Sequence, residues 1–188
     1  FTRAISLNNK KIVIKEPFKG LFTQGMVCHE TYKDENNNWL SLDEINTDDG
    51  KNFYIKDQPK KLVIVGASES MSKSKKNTID PERMIDAYGA DAVRLFILSD
   101  SPPEKDIQWS DTGMSSAFKF IQKFWAISEQ IINLTKIEIN EKNEELEIFT
   151  NRAIQRINSA LEKFRYNVII AVFHEIYSFF KKMSDKNK

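Results

Sequence analysis

Cysteine and histidine are scarce in this chain: its 188 residues include one cysteine, Cys28, and two histidines, His29 and His174. One cysteine cannot form an internal disulfide, and these three side chains are too few ligands for a structural zinc. The sequence therefore predicts no metal site. It also indicates a reducing compartment, and we expect a cytoplasmic location.

Long apolar runs and an excess of one charge are also missing. The longest clean apolar run is "VIIAVF" at 168–173, far short of the roughly 18 residues that span a bilayer, so we predict no membrane insertion. Lysine and arginine number 28 against 27 acidic residues, so any binding to a polyanion must come from local clusters. The first residues, "FTRAISLNN", contain neither an initiator methionine nor the order of a signal peptide. We expect a piece of a longer protein.

The first third of the chain is typical of short strands and turns. Up to about residue 66, the runs "KKIVI", "NFYI" and "KLVIV" alternate with clusters of Gly, Asn and Asp, which predict hairpins. Within this region "EPFKGLFTQGMV" predicts one or two helical turns that end at Gly25, with Pro17 at the first helical position.

Helix signals begin near residue 78. Asp80 can cap a helix that has Pro81 at its first position and Gly89 at its end. Asp91 can cap a second helix, "AVRLFILS", which stops before two prolines at 102–103. We interpret these prolines as a linker.

Beyond about Ser115 the apolar residues recur at helical spacing, which predicts two long amphipathic helices. A third helix of this region is expected from about Asn167. The successive apolar faces consist of Phe118, Ile121, Phe124, Trp125, Ile131 and Ile132, then Leu146, Phe149, Ala153, Ile157, Leu161 and Phe164, and finally Val168, Ile169, Val172, Phe173, Ile176, Phe179 and Phe180. The predicted fold class is α+β, with a β-containing part followed by an antiparallel α-helical bundle.

The stretch "SESMSKSKKN" at 68–77 combines three lysines with hydroxyl and amide side chains. It lies between a predicted strand and a predicted helix, and its ammonium and hydroxyl groups can bind phosphate. It is not a P-loop, since no glycine-rich run precedes the lysines. Composition alone favours a solvated loop.

The longer string "MSKSKKNTIDPERMIDAYGADAVRLFILSDSPPEKDIQWSD" at 71–111 resembles the signature region of class I aminoacyl-tRNA synthetases. The Lys-Met-Ser-Lys-Ser loop of that family corresponds to 70–74, although its first lysine is Ser70 here. "Asn-x-Ile-Asp-Pro" and "Tyr-Gly-Ala-Asp-x-x-Arg" are shared by the valine, isoleucine and leucine enzymes. "EPFKGLFTQGMV" and "SPPEKDIQWSD" point to the leucine enzymes.

The resemblance extends from about Glu16 to Phe180 and implies two domains. Residues 1–112 would be the C-terminal part of the catalytic domain, with a small β-rich insert at about 28–65 and the signature loop at 70–74. Residues 113–188 would be an incomplete helical domain of the anticodon-binding type.

The resemblance also implies an activity, namely ATP-dependent activation of leucine and its transfer to tRNA(Leu) by a monomeric enzyme. ATP would bind with Mg²⁺, as a substrate. Lys73 would be the catalytic residue, stabilising charge on the departing pyrophosphate. The implied ATP-binding residues are Ser70, Met71, Ser72, Lys73, Ser74, Lys75 and Lys76, and the implied tRNA-binding residues are Arg152, Arg156, Lys163 and Arg165.

Several alternatives stay open at this point. The His-Ile-Gly-His motif of the family is missing from these residues, so we expect the isolated chain to be inactive, and it could be a noncatalytic RNA-binding module. An isoleucine or valine enzyme is a further alternative, and the four basic residues could simply be solvated. We expect Trp109 and Trp125 in the core or a domain junction, and His174 in a structural role.

Overall fold

The computed structural model of the chain describes residues 1–9, 11–13, 16–48, 52–56, 58–134 and 143–186. Two small β-sheets, with most of their strands between residues 27 and 70, are followed by a set of packed α-helices. This arrangement confirms the predicted α+β class. None of the described helices is both long and apolar enough to cross a membrane.

The larger sheet is built around its central strand, β1 (Val27–Lys33). The strands β2 (Trp39–Leu40) and β6 (Ile64–Ser70) pair with β1 in antiparallel fashion, and β7 (Ile107–Gln108) pairs with it in parallel. The ladder between β1 and β6 shifts register between His29 and Thr31. The sheet therefore brings the end of β6, where the lysine-rich loop starts, beside the start of β1.

The smaller sheet consists of β3 (Ile45–Thr47), β4 (Phe53–Ile55) and β5 (Gln58–Leu62), all antiparallel. A short 3-10 turn, Leu42–Glu44, connects it to β2. Apolar residues of both sheets share one core, which comprises Tyr32, Leu40, Ile45 and Val63. The predicted run "NFYI" is therefore a strand, whereas "KLVIV" is divided at Val63 between β5 and β6.

Two predictions for the N-terminal part differ from the structure. Residues 2–8 form a helix, α1 (Thr2–Asn8), that the sequence pattern does not predict. Of the predicted strand "KKIVI", residues 11–13 are not in a strand, and the rest lies outside the described residues.

The helical turns predicted for "EPFKGLFTQGMV" are wrong, because residues 16–26 have no regular structure. Backbone amides at the end of this segment form hydrogen bonds with a distant loop instead. Gly25 N donates to Pro103 O at 2.7 Å, and Met26 N donates to Asp106 Oδ1 at 2.8 Å. A Cβ atom on Gly25 would overlap the backbone of Lys105. Close approach of two backbones explains the glycine here.

The helices after the lysine-rich loop are α2 (Pro81–Tyr88), α3 (Ala90–Ser99), α4 (Asp111–Leu134), α5 (Glu144–Glu162) and α6 (Tyr166–Lys186). The Asp80 side chain accepts from Glu82 N at 3.0 Å, which confirms the predicted cap of α2. The cap of α3 is Gly89, at φ 82°, and not Asp91, which lies in the first turn. Helix α4 begins at Asp111, about one turn before the predicted start at Ser115.

Helix α3 packs against α4 and α6, and α5 packs against α6. The core between α3 and α4 contains Ala92, Phe96, Met114 and Ala117. Trp109 packs edge-on against Phe96 with ring centroids 5.2 Å apart, so its predicted packing role is confirmed. The prediction of a core position for Trp125 is wrong, because this residue is 68% exposed on α4.

Candidate functional site

The lysine-rich loop turns the chain from β6 into α2. Residues Lys73–Lys75 form a single 3-10 turn, which Ser72 caps by accepting from Lys75 N at 3.3 Å. Lys76 has the left-handed φ of 53° that ends the turn, and its amide donates to Lys73 O at 3.3 Å. The hydroxyl groups of Ser72 and Ser74 lie 3.2 Å apart. The loop is thus a compact hydrogen-bonded turn.

The turn is attached to the larger sheet at its first residues. Met71 N donates to Val27 O at 3.0 Å, and Ser72 N donates to Oδ1 of Asn77 at 2.9 Å. These contacts hold the backbone before Lys73, and they therefore fix the start of the loop relative to the sheet.

The three lysines of the loop differ in their partners. Lys75 Nζ forms an ion pair with Glu69, and Lys76 Nζ forms one with Glu44 at 3.0 Å. Lys73 is exposed and makes no ion pair with any residue that the structure describes. Lys73 is therefore the lysine of this loop whose ammonium group is available to a phosphate.

Glu44 belongs to the 3-10 turn before the smaller sheet, 32 residues before Lys76. Its carboxylate also accepts from Ser41 N at 2.7 Å, and this hydrogen bond, followed by the one from Lys76, lowers the pKa of Glu44. The neighbouring Asp43 accepts from Arg83 Nη1 on α2 at 2.9 Å. Two carboxylates of the β-rich region thus contact the loop and the helix that follows it.

Three of the four predicted tRNA-binding residues lie together. Arg156, Lys163 and Arg165 line a pocket of about 350 Å³ where α5 ends and α6 begins, together with Gln155, Ser159, Ala160 and Val168. Arg152, one turn earlier on α5, does not line it. The chain reverses here at Phe164, which has a φ of 54° and packs against Phe22 with ring centroids 4.9 Å apart.

The pocket is not uniformly positive. Arg156 pairs with Glu175 on α6, with Nη2 and Oε1 at 3.0 Å, and this pairing lowers the pKa of Glu175. No ion pair holds Lys163 or Arg165 within the described part of the chain. These two side chains are the ones that can bind an anion without displacing a carboxylate.

A second pocket, of about 500 Å³, was not apparent from the sequence. It lies between α3, α4 and α6, and its lining includes Asp100, Thr112, Phe120 and His174. The rings of His174 and Phe120 are 3.7 Å apart, and desolvation lowers the pKa of His174. The predicted structural role of His174 agrees with this stacking. Across the described ranges, no group of three or more His, Cys, Asp or Glu residues is placed to hold a metal ion.

Sequence reasoning missed Glu44, Glu69 and the hydrogen bonds of Asn77. No local pattern connects Glu44 with Lys76, because the two residues are far apart in the chain. The sequence did contain a signal that could have pointed to Asn77, since this residue is the first of the "Asn-x-Ile-Asp-Pro" motif.

Known proteins resemble this chain over nearly its whole length. Residues 50–110 match the family model for class I tRNA synthetases of the I, L, M and V type. The leucine-tRNA ligase of Rickettsia canadensis is 46% identical over 176 residues, which cover 94% of this chain and 21% of that protein. The leucine-tRNA ligase of Zymomonas mobilis is 40% identical over 182 residues, which cover 97% of this chain and 21% of that protein. The chain therefore spans about a fifth of the length of these relatives.

A solved structure has the same fold. It is the ternary complex of an Agrobacterium radiobacter LeuRS with tRNA and LeuAMS, which matches 98% of this chain and 20% of that chain with a TM-score of 0.66. At 20% sequence identity, this likeness concerns the fold alone.

Proposed function

We propose that this chain supplies the ATP-phosphate loop and tRNA-binding helices of an enzyme that activates leucine and transfers it to tRNA(Leu). The basis of the proposal is that the chain belongs to the leucine-tRNA ligase family. The observation that carries this proposal is the free ammonium group of Lys73 on a turn that the sheet holds in place. Similarity to leucine-tRNA ligases favours this function over that of an isoleucine or valine enzyme.

The chemistry of activation requires a cation at this position. The leucine carboxylate attacks the α-phosphate of ATP, the bond to the pyrophosphate breaks, and negative charge increases on the β- and γ-phosphate oxygens. An ammonium group placed there binds the transition state more strongly than the ground state. Lys73 would supply that charge, and the hydroxyls of Ser72 and Ser74 would donate hydrogen bonds. ATP would arrive with Mg²⁺, as a substrate.

The remaining residues of the loop have subordinate roles in this proposal. Ser70 and Met71 would face the nucleotide from the end of β6. Lys75 and Lys76 would approach phosphate only after leaving Glu69 and Glu44.

The α5–α6 pocket would bind the RNA backbone. Lys163 and Arg165 are available in its lining, Arg156 pairs with Glu175, and Arg152 would extend the basic surface along α5. Phosphate contacts of this kind do not read sequence, so this pocket would contribute affinity and orientation. The domain division at about residue 112, a monomeric state and a cytoplasmic location complete the proposal.

Substitution of Lys73 tests the proposal in a full-length leucine-tRNA ligase that carries this segment. Lys73→Ala should lower the rate of leucine-dependent pyrophosphate exchange on the order of 10²-fold, as for the loss of one transition-state donor. The affinity for ATP in the ground state should fall much less. Lys119→Ala on α4 is the matched control, because it also removes one exposed lysine. An unchanged exchange rate in Lys73→Ala would contradict the assigned role.

A further inference from the structure

Asn77 is unusual among the polar residues because its side chain is completely buried. It is 0% exposed, and Thr31, at 2%, is the other buried polar residue in the part of the chain described. A buried amide is costly unless its donor and acceptor atoms are satisfied. Three hydrogen bonds satisfy this one.

The three hydrogen bonds connect three different segments. Oδ1 accepts from Ser72 N at 2.9 Å, and Nδ2 donates to His29 O on β1 and to Glu69 O on β6, both at 3.2 Å. His29 and Glu69 are paired in the ladder, directly before its register shift. The amide of Asn77 therefore joins Ser72, the cap of the turn, to both strands at one point.

This geometry requires an amide side chain. Only Asn and Gln carry an acceptor and two donors on one planar group, and Asn is the shorter. An ionised Asp could still accept from Ser72 N, but it would have no donor for the two strand carbonyls. Lys76, with its left-handed φ, ends the turn directly before Asn77, whose Oδ1 accepts from Ser72 N.

We propose that Asn77 is a positioning residue, which sets the location of the Lys73 ammonium group by fixing the backbone of Ser72 to β1 and β6. Asn77 does not touch ATP; it acts through Lys73. The inference rests on the proposed function, because it assigns Asn77 a part in the phosphate chemistry of that loop. It adds an uncharged residue that affects the rate through the hydrogen bonds of its side-chain amide to the backbone of Ser72, His29 and Glu69.

A double-mutant cycle tests this role in a full-length leucine-tRNA ligase that carries this segment. Asn77→Ala should lower the maximal rate of pyrophosphate exchange on the order of 10²-fold, because a small displacement of a catalytic group is this costly. In a Lys73→Ala background, the same substitution should cost less than about twofold, since the group that it positions is already gone. Asn77→Asp keeps the acceptor for Ser72 N but buries a carboxylate against the carbonyl oxygens of His29 and Glu69, so it should lose at least as much rate as Asn77→Ala.

Thr31→Val is the matched structural control. Thr31 Oγ1 donates to Ala67 O at 3.1 Å, so this variant also removes a buried hydrogen bond between β1 and β6, but one that does not reach the turn. It should lower the melting temperature without changing the exchange rate. Hydrogen exchange of the peptide covering 70–77 should become faster in Asn77→Ala and stay unchanged in Thr31→Val.

Three results would overturn the inference: equal effects of Asn77→Ala in both backgrounds, an equal loss of rate in Thr31→Val, or a full exchange rate in Asn77→Ala despite a mobile turn. A failure of the proposed function would look different. In that case, Lys73→Ala alone would leave the exchange rate unchanged, whereas hydrogen exchange would still show whether Asn77 holds the turn.

Discussion

Replacing Ser70 by the lysine that is usual in the family tests whether this loop lacks a positive charge. Ser70 is the last residue of β6 and is exposed, so a lysine fits there without repacking. Lys75 and Lys76 are the candidates for supplying the missing charge, and both are held by carboxylates. The strength of those ion pairs therefore decides the expected result.

The pairs are weak because they are open to solvent. The side chains of Lys75 and Glu69 are 36% and 40% exposed, and those of Lys76 and Glu44 are both 45% exposed. Ion pairs at such sites contribute about 0.2–1 kcal/mol, so releasing one lysine costs a factor of about five at most. A missing transition-state donor costs on the order of 10²-fold. A lysine that leaves its carboxylate for the phosphates thus recovers most of the charge.

We therefore expect Ser70→Lys to change the rate of adenylate formation by less than about fivefold. The measurement is pre-steady-state adenylate formation in the full-length enzyme, at saturating and limiting ATP. If Lys75 or Lys76 supplies the substitute charge, replacing that lysine by Ala should slow adenylate formation. Adding Ser70→Lys to that variant should restore its rate. Glu44→Gln is a useful control, because it weakens the hold on Lys76 and keeps an acceptor for Ser41 N.

A gain of about 10²-fold in Ser70→Lys would refute this reasoning. It would mean that neither lysine reaches the phosphates and that the loop works with one charge too few. Equal rates in Lys75→Ala, Lys76→Ala and the wild type would also contradict the idea of a substitute.

Two further predictions concern the helical part. The double substitution of Lys163 and Arg165 by Ala should weaken tRNA binding. It should also reduce the slope of log affinity against log salt concentration by about one for each phosphate that the variant no longer binds. Lys181→Ala is the control, because Lys181 already pairs with Asp185 on α6. An unchanged slope would exclude the pocket from RNA binding. Met114→Ala should lower the free energy of unfolding by about 2–5 kcal/mol, because Met114 is 0% exposed in the α3–α4 core. Urea denaturation measures this free energy. The control is Ile154→Ala at a half-exposed position, whose free energy of unfolding should stay within about 0.5 kcal/mol of the wild type. Equal losses of stability in the two variants would contradict the assigned core.

Local sequence signals were sufficient for the elements that depend on neighbouring residues. Asp80, Pro81 and Gly89 bound α2 as predicted, because a cap, a fixed φ and a flexible end act within one or two turns. The helical spacing beyond α3 also predicted the bundle. The motif around Lys73 was likewise readable, since its residues are contiguous.

Elements with long-range hydrogen bonds depend on the folded chain instead. Residues 16–26 have helix-compatible spacing, but the amides of Gly25 and Met26 bond to the loop at 103–106, an alternative that no local pattern reveals. Trp125 follows Phe124 on α4, and adjacent helix positions point about 100° apart. Phe124 contacts Phe173 of α6, and Trp125 therefore faces away from that helix.

The same distinction applies to the candidate site. The resemblance implied seven ATP-binding loop residues, with Lys73 as the catalytic one, but composition and spacing do not show which lysine has a partner. The fold distinguishes them by bringing Glu44 to Lys76 across 32 residues, and Asn77 to His29 across 48. Ion pairs and buried amides depend on distances of about 3 Å between atoms that are remote in the chain, and only the folded backbone sets those distances.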